Sequence, residues 1–277
     1  MRFEAAIQTV KLLNEHHQGV AGKSVLELGT GRFVDLPMAL WLMGADKVVT
    51  TDITTLLRAD LVNKSIAFLR ERWDEYRARF APHCDEALMD QRYDEMCRAS
   101  AGGFGDADLT RVLEVMGIDY RSPADATRMP MPDEIFDVYV SFVVLQHVPP
   151  EPMLAILKEA RRLLKKDGRM VHFSNTSDHF SHVDSSLSPI NFLRWSEREW
   201  QLIAGNRFMY QNRLRADDYY DIFRNAGMLV DYTEERVDER ALSDLRAGFP
   251  LHSDWRKGTP ERNAVIRYSA VLKRDDA

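Results

Sequence analysis

"VLELGTGRF", residues 25–33, decides how this chain folds. An apolar run that carries an acid two places before a Gly-x-Gly is a short buried strand entering a tight turn. A helix follows at once in "DLPMALWLMG", residues 35–44, stopped by Gly44. "DKVVTTDI", residues 46–53, is the next strand and ends in an acid at Asp52. Three further β-rich runs are "GIDYRS" (117–122), "FDVYVSFVVL" (136–145) and "GRMVHFSN" (168–175), with the amphipathic helix "PMLAILKEARRLLKKDG" (152–168) between the last two. "RADDYYDIFRNAGM" (215–228) reads as another helix, and "LVDYTEERV" (229–237) and "AVIRYSAVLKR" (264–274) as an antiparallel pair at one sheet edge. Strand and helix in this alternation predict an α/β fold, a doubly wound, seven-stranded, mostly parallel sheet of Rossmann-like type.

Ligands of such sheets bind beyond the carboxyl ends of the strands, where strand order reverses. A dinucleotide turn would place a third glycine where Val34 stands. Asp52 lies 21 residues after Gly31, a spacing at which a carboxylate can accept from both ribose hydroxyls. Glu27 repels a phosphate and suits a cation. The turn therefore suits a nucleoside that carries positive charge rather than a pyrophosphate.

"VLELGTG", "VVTTDI", "ADATRMPMPDEIFDVYVSFVVLQHV" and "LKKDGRMVHFSN" together resemble the class I S-adenosylmethionine-dependent methyltransferases, in order over residues 23–175 and more loosely to the C-terminus. The resemblance implies that S-adenosyl-L-methionine is the cofactor. It implies that Glu27, Gly29, Thr30 and Gly31 line its methionine end, that Asp52 holds the ribose, and that Asp125 with Ala126 meets the adenine amino group. Ser141 and Phe142, at the end of the fourth strand, would border the sulfonium. The family often has a further glycine where this chain has Phe33. Each residue also has a plainer reading: Asp52 as the N-cap of a helix beginning near Thr55, Asp125 as a turn residue, His147 as a loop-packing residue.

Two segments exceed a minimal sheet. Residues 55–115 read as a helical insert, either a lid over the site or a packing or dimerisation arm, which leaves a homodimer open. Within it "LLRADLVNKSIAFLRERWDEYRARF" (56–80) spaces Val62, Ile66, Leu69, Trp73, Tyr76 and Phe80 as one long amphipathic helix. A second helix, a hinge at Gly102, Gly103 and Gly105, and a third helix follow. Residues 176–215, after the fifth strand, read as a substrate-facing insertion with His179, His182 and Asp184, the rings of Phe180, Trp195, Trp200 and Tyr210, and Arg194, Arg207, Arg213 and Arg215. Rings suit sugar faces and arginines suit anions. We read His179 and His182 as catalytic, one of them the general base, Arg194, Tyr210 and Arg213 as substrate-binding, and no metal site. Part of this segment loosely resembles bacterial methyltransferases thought to act on surface glycans or their precursors.

The single domain of 277 residues is 45% hydrophobic and carries a net charge of −6, which argues against a long nucleic acid as partner. No stretch is apolar for the roughly 18 residues a membrane span needs, so a soluble, cytoplasmic protein is expected. Cys84 and Cys97 are two reduced thiols. The function expected is methyl transfer to a small polar acceptor, on oxygen of a sugar-like or anionic metabolite. A cofactor-binding regulatory subunit and an RNA methyltransferase are the other classes considered.

Overall fold

In the computed structural model, residues 2–204 and 210–276 are described. The elements run α1 (Arg2–His16), β1 (Ser24–Leu28), α2 (Asp35–Leu42), β2 (Lys47–Thr51), α3 (Ala59–Glu71), α4 (Trp73–Phe80), α5 (Glu86–Ala99), α6 (Leu109–Val115) and β3 (Ile118–Arg121). They continue with β4 (Phe136–Phe142), α7 (Pro150–Leu163), β5 (Leu164–Asn175), α8 (Glu197–Ala204), α9 (Ala216–Asn225), β6 (Met228–Val237), α10 (Glu239–Arg246), α11 (Pro260–Asn263) and β7 (Val265–Arg274). The sheet order is β3-β2-β1-β4-β5-β7-β6. β1 to β5 pair in parallel, while β7 runs antiparallel between β5 and β6. Strand order reverses between β1 and β4, so the turn after β1 opens at the switch point.

Alternate strand residues serve opposite faces. Val25, Val48, Val138, Val140, Val171 and Val271 meet α1, α2 and the insert helices, whereas Leu26, Tyr139, Met170, Ala270 and Leu272 meet α7 and α9. Helix α7 shows why it forms: proline at its start, then Met153, Ile156, Leu157, Ala160 and Leu163 on one buried stripe.

Every residue of α2 is buried. A helix apolar all round needs cover on both sides, and α5 supplies the outer one: Arg92 donates to the carbonyls of Trp41 and Ala45 at the end of α2, and Met89 and Met96 join the same core. The insert thus has a packing task.

The expected single helix over 56–80 is broken at Arg72, whose φ of −123° and ψ of 24° leave the helical region. No breaker residue stands there. The break lets Trp73 stack on Tyr93 of α5, ring centres 3.7 Å apart, while Tyr76 meets Phe3 of α1 at 4.9 Å. Tertiary contact has overridden a continuous apolar period.

The chain after β5 builds a small core of its own from Ile190, Phe192, Leu193 and Trp200 with Ala241, Leu242 and Ala264. No described helix is long and apolar enough to cross a membrane.

Candidate functional site

After Leu28 the chain turns through two left-handed glycines, Gly29 (φ 86°) and Gly31 (φ 64°). The N–H groups of Gly29 and Thr30 donate to the Thr51 carbonyl at 2.8 and 3.1 Å, and Gly31 N–H donates to Asp52 Oδ2 at 2.8 Å. The turn is thereby fastened to the end of β2. Phe33 is half-buried and, unlike Gly29 and Gly31, has no positive φ, so a third glycine is not required here.

Glu27 is buried beneath this turn. Thr50 Oγ1 donates to its Oε2, and Thr30 Oγ1 lies 2.5 Å from Thr50 Oγ1. Burial pushes the Glu27 carboxyl up to about 7 against the effect of the Thr50 bond, and the charges of Asp52 and Asp35 add to the rise. Buried negative charge of this kind is what an incoming cation relieves.

The half-buried Asp52 also takes the Thr54 N–H on Oδ1 at 2.9 Å. The next helix, α3, begins only at Ala59, with Arg58 at its N-cap, so Asp52 does not cap it. The Asp52 carbonyl accepts from Ala124 at 2.9 Å, which brings Asp125 and Ala126 to the same strand ends. Asp125 is exposed, and its Oδ1 accepts from the amide and hydroxyl of Thr127 at 2.9 and 2.7 Å, bonds that hold it below the usual carboxylate range. It is a turn residue as well as a candidate contact. Ile53, beside Asp52, is 81% exposed, an uncovered apolar side chain that the sequence reading passed over.

At the end of β4, Ser141 is buried and its Oγ has no partner among the described residues. Phe142 lies against Phe173, ring centres 5.2 Å apart. Four residues further, Gln146 is buried within what reads as an apolar run. Its Oε1 accepts from Asn175 N–H at 2.9 Å, and its Nε2 lies 3.4 Å from His179 Nε2.

The structure groups His179 with His182 and adds His147: ring centres are 5.2 Å apart for His147 and His179 and 5.3 Å for His179 and His182. His147 Nδ1 donates to the Tyr210 carbonyl at 3.0 Å, which is the loop-packing role expected of it. Burial, reinforced by His147 and His182, pushes His179 down to about 4. Asp184 does not join them, because Oδ1 is bonded to the Ser186 amide and hydroxyl. Among the described residues no three side chains are grouped to hold a metal ion.

The arginines divide. Arg194 is exposed over the Trp195 ring at 5.4 Å. Arg213, expected to grip an anion, is buried instead: it donates to the Phe192 and Trp195 carbonyls and to Glu197 at 2.9, 2.6 and 2.7 Å. Its guanidinium, between the Trp200 and Trp255 rings, holds the small core together. Arg215 likewise serves the carbonyls of Thr176, Asn263 and Val265. Trp200 is a core residue rather than a sugar platform. Tyr210 is half-buried, with its hydroxyl pushed up by burial, and Arg207 lies outside the described residues.

Residues 103–172 match the family model described as a methyltransferase domain. No curated protein matches the sequence. Among solved structures the chain is similar to a [4+2]-cyclase, SpnF, at 13% identity over 98% of this chain and 81% of that one, TM-score 0.52. It is also similar to a SAM-dependent methyltransferase of Methanosarcina mazei (13%, 95% and 96%, TM-score 0.50). A third is the geranyl diphosphate C-methyltransferase of Streptomyces coelicolor, solved with Mg2+, geranyl diphosphate and S-adenosyl-L-homocysteine (14%, 96% and 77%, TM-score 0.50). At these identities the likeness speaks for the fold, and the domain match is confined to residues 103–172. The sheet therefore has the fold of the S-adenosylmethionine-dependent methyltransferases, and the domain match covers β3, β4 and most of β5.

Proposed function

We propose that this protein is an S-adenosylmethionine-dependent methyltransferase that transfers the methyl group to an oxygen of a small, hydroxylated, anionic acceptor of sugar-like kind. Bound S-adenosylmethionine supplies a sulfonium methyl already activated for transfer. Glu27, Gly29, Thr30 and Gly31 would hold its amino-acid end, Asp52 the ribose, Asp125 and Ala126 the adenine edge, with Ile53 against the ring face; Ser141 and Phe142 would border the sulfonium. The residues fit that group on three counts: a buried carboxyl short of a cation, a glycine where any Cβ would collide, and an orphaned Ser141 hydroxyl.

The observation that carries the choice of oxygen is the pair His179 and His182 beyond β5, with His179 3.4 Å from Gln146 of the segment after β4, because an acceptor hydroxyl has to lose its proton. Support for an anionic acceptor comes from Arg194, whose charge meets no carboxylate within ion-pair distance among the described residues. Aligning the acceptor behind the methyl carbon supplies much of the remaining acceleration. The test is transfer of labelled methyl from S-adenosylmethionine to pools of sugars, sugar acids and sugar phosphates. Product label that survives mild alkali as an ether supports the reading, and label found only on nitrogen, sulfur or carbon overturns it.

A further inference from the structure

The ring protons of the histidines are fixed by their neighbours. Ser177 N–H donates to Asn175 Oδ1 at 3.0 Å, so that oxygen is an acceptor. Ser177 Oγ lies 2.6 Å from the same oxygen and has to give it its one proton. His182 Nε2, 2.8 Å from Ser177 Oγ, must then donate to it. Neutral His182 therefore carries its proton on Nε2 and leaves the Nδ1 lone pair open.

The same bookkeeping gives His179 the opposite character. Gln146 Oε1 is taken by the Asn175 amide, so Gln146 Nε2 faces His179 Nε2 as a donor and occupies that lone pair. The His179 proton sits on Nδ1, and no ring nitrogen is left to accept another. His147 spends its Nδ1 proton on the Tyr210 carbonyl, across 63 positions of chain. His179 and His182 are thus unequal, although sequence reading treated them alike.

Resting on the O-methylation reading above, we propose that His182 is the catalytic base, and that Ser177 and Asn175 are the positioning residues that hold it in the Nε2–H tautomer. An acceptor oxygen bonds to the methyl carbon as the carbon–sulfur bond breaks, its electron pair remaining on sulfur. The hydroxyl proton passes to His182 Nδ1, which leaves a methyl ether, neutral S-adenosylhomocysteine and an imidazolium. That imidazolium keeps its Nε2–H bond to Ser177, and the chain ends on the last residue of β5, so a rigid strand orients the base.

The titratable groups near His182 are few. His179 faces it with a ring centre 5.3 Å away, with His147 beyond that. The Asp178 carboxylate is tied to Phe180 N–H at 2.9 Å and to Asn191 at 3.4 Å, and Asp184 is turned to Ser186.

Two measurements test the assignment. Long-range nitrogen–proton NMR correlations on the full chain, without acceptor, should show His182 protonated on Nε2, and Ser177→Ala should turn that single tautomer into a mixture. In the pH profile of kcat, Asn175→Asp places a carboxylate at the end of the chain and should move the acid limb up by about one unit. His182→Ala should lower turnover about 100-fold with cofactor affinity unchanged, and His147→Ala should keep the acid limb where it is. An Nδ1–H tautomer at His182, an acid limb unmoved by Asn175→Asp, or loss of the limb in His147→Ala overturns the assignment. A methyl screen that yields no ether ends the O-methylation reading and the base with it, whereas a wrong tautomer ends the base assignment alone.

Discussion

A Cβ built on Gly29 would stand 2.3 Å from Cγ2 of Val144, so the turn after β1 and the segment after β4 meet at a distance only glycine allows. Gly31 has the same left-handed backbone but nothing within 4 Å of its Cβ position. The two glycines therefore predict different losses. Gly31→Ala should cost about 1–2 kcal/mol, the strain of a left-handed residue alone. Gly29→Ala should cost more and weaken cofactor binding, and Val144→Ala should restore part of it. Thermal unfolding and calorimetry of the two single variants and the Gly29/Val144 double variant check this. Equal losses at the two glycines, or no restoration, would show that the contact is not what demands glycine.

Asp52 bonds two backbone amides, Gly31 at 2.8 Å and Thr54 at 2.9 Å, and so both shapes the turn and would hold the ribose. Hydrogen bonds to a charged group contribute about 1.5–3 kcal/mol each. Asp52→Ala should weaken S-adenosylmethionine and its demethylated product alike, by about 100-fold, with Asp52→Asn between it and the parent. Unchanged affinity for both ligands would remove Asp52 from the cofactor site.

How far the sequence revealed this depended on the range of the interaction. Gly29, Gly31 and Asp52 were legible because a turn, a left-handed backbone and a strand end are properties of a few adjacent residues. The strands were legible for the same reason, and so was the antiparallel pairing of β6 with β7. The break at Arg72 was not, since it answers to Tyr93 and Phe3, which are remote in the chain. Gln146 was hidden inside an apolar run, where a single polar residue gives no period of its own. Arg213 and Trp200 were misassigned because an arginine buried against carbonyls and tryptophan rings looks, in sequence, like one that waits for a ligand.

Arg213 and Arg194 should consequently respond in opposite ways. Removing Arg213 strands the Phe192 and Trp195 carbonyls in the small core, which predicts a loss of roughly 3–5 kcal/mol and a Tm lower by about 10 °C. Arg194 is exposed, so Arg194→Ala should alter stability by no more than about 0.5 kcal/mol. Its effect should appear as a raised KM for an anionic acceptor at nearly constant kcat. A stable Arg213→Ala protein, or an Arg194→Ala enzyme with its KM unchanged, would reverse the division.

Glu27 ties the turn after β1 to pH. Burial raises its carboxyl from the ordinary 4.5 to about 7, so the folded chain holds a proton that the unfolded chain has already lost. Below about 4.5 both states are protonated and Glu27 contributes nothing to the pH dependence; between there and about 7 the unfolded state is progressively favoured, and above about 7 the penalty is complete. Its size is roughly 3 kcal/mol. Without cofactor, Glu27→Gln should therefore melt higher than the parent at pH 8 and lose this advantage near pH 4.5, since the amide oxygen can still accept from Thr50. If the ammonium of S-adenosylmethionine sits near this carboxyl, binding lowers its pKa and expels the proton. Calorimetry near pH 7 in two buffers of different ionisation enthalpy should then register release of about half a proton per cofactor bound, fading toward pH 8.5 and absent in Glu27→Gln. Binding heats that are independent of the buffer at pH 7 would place the cation elsewhere.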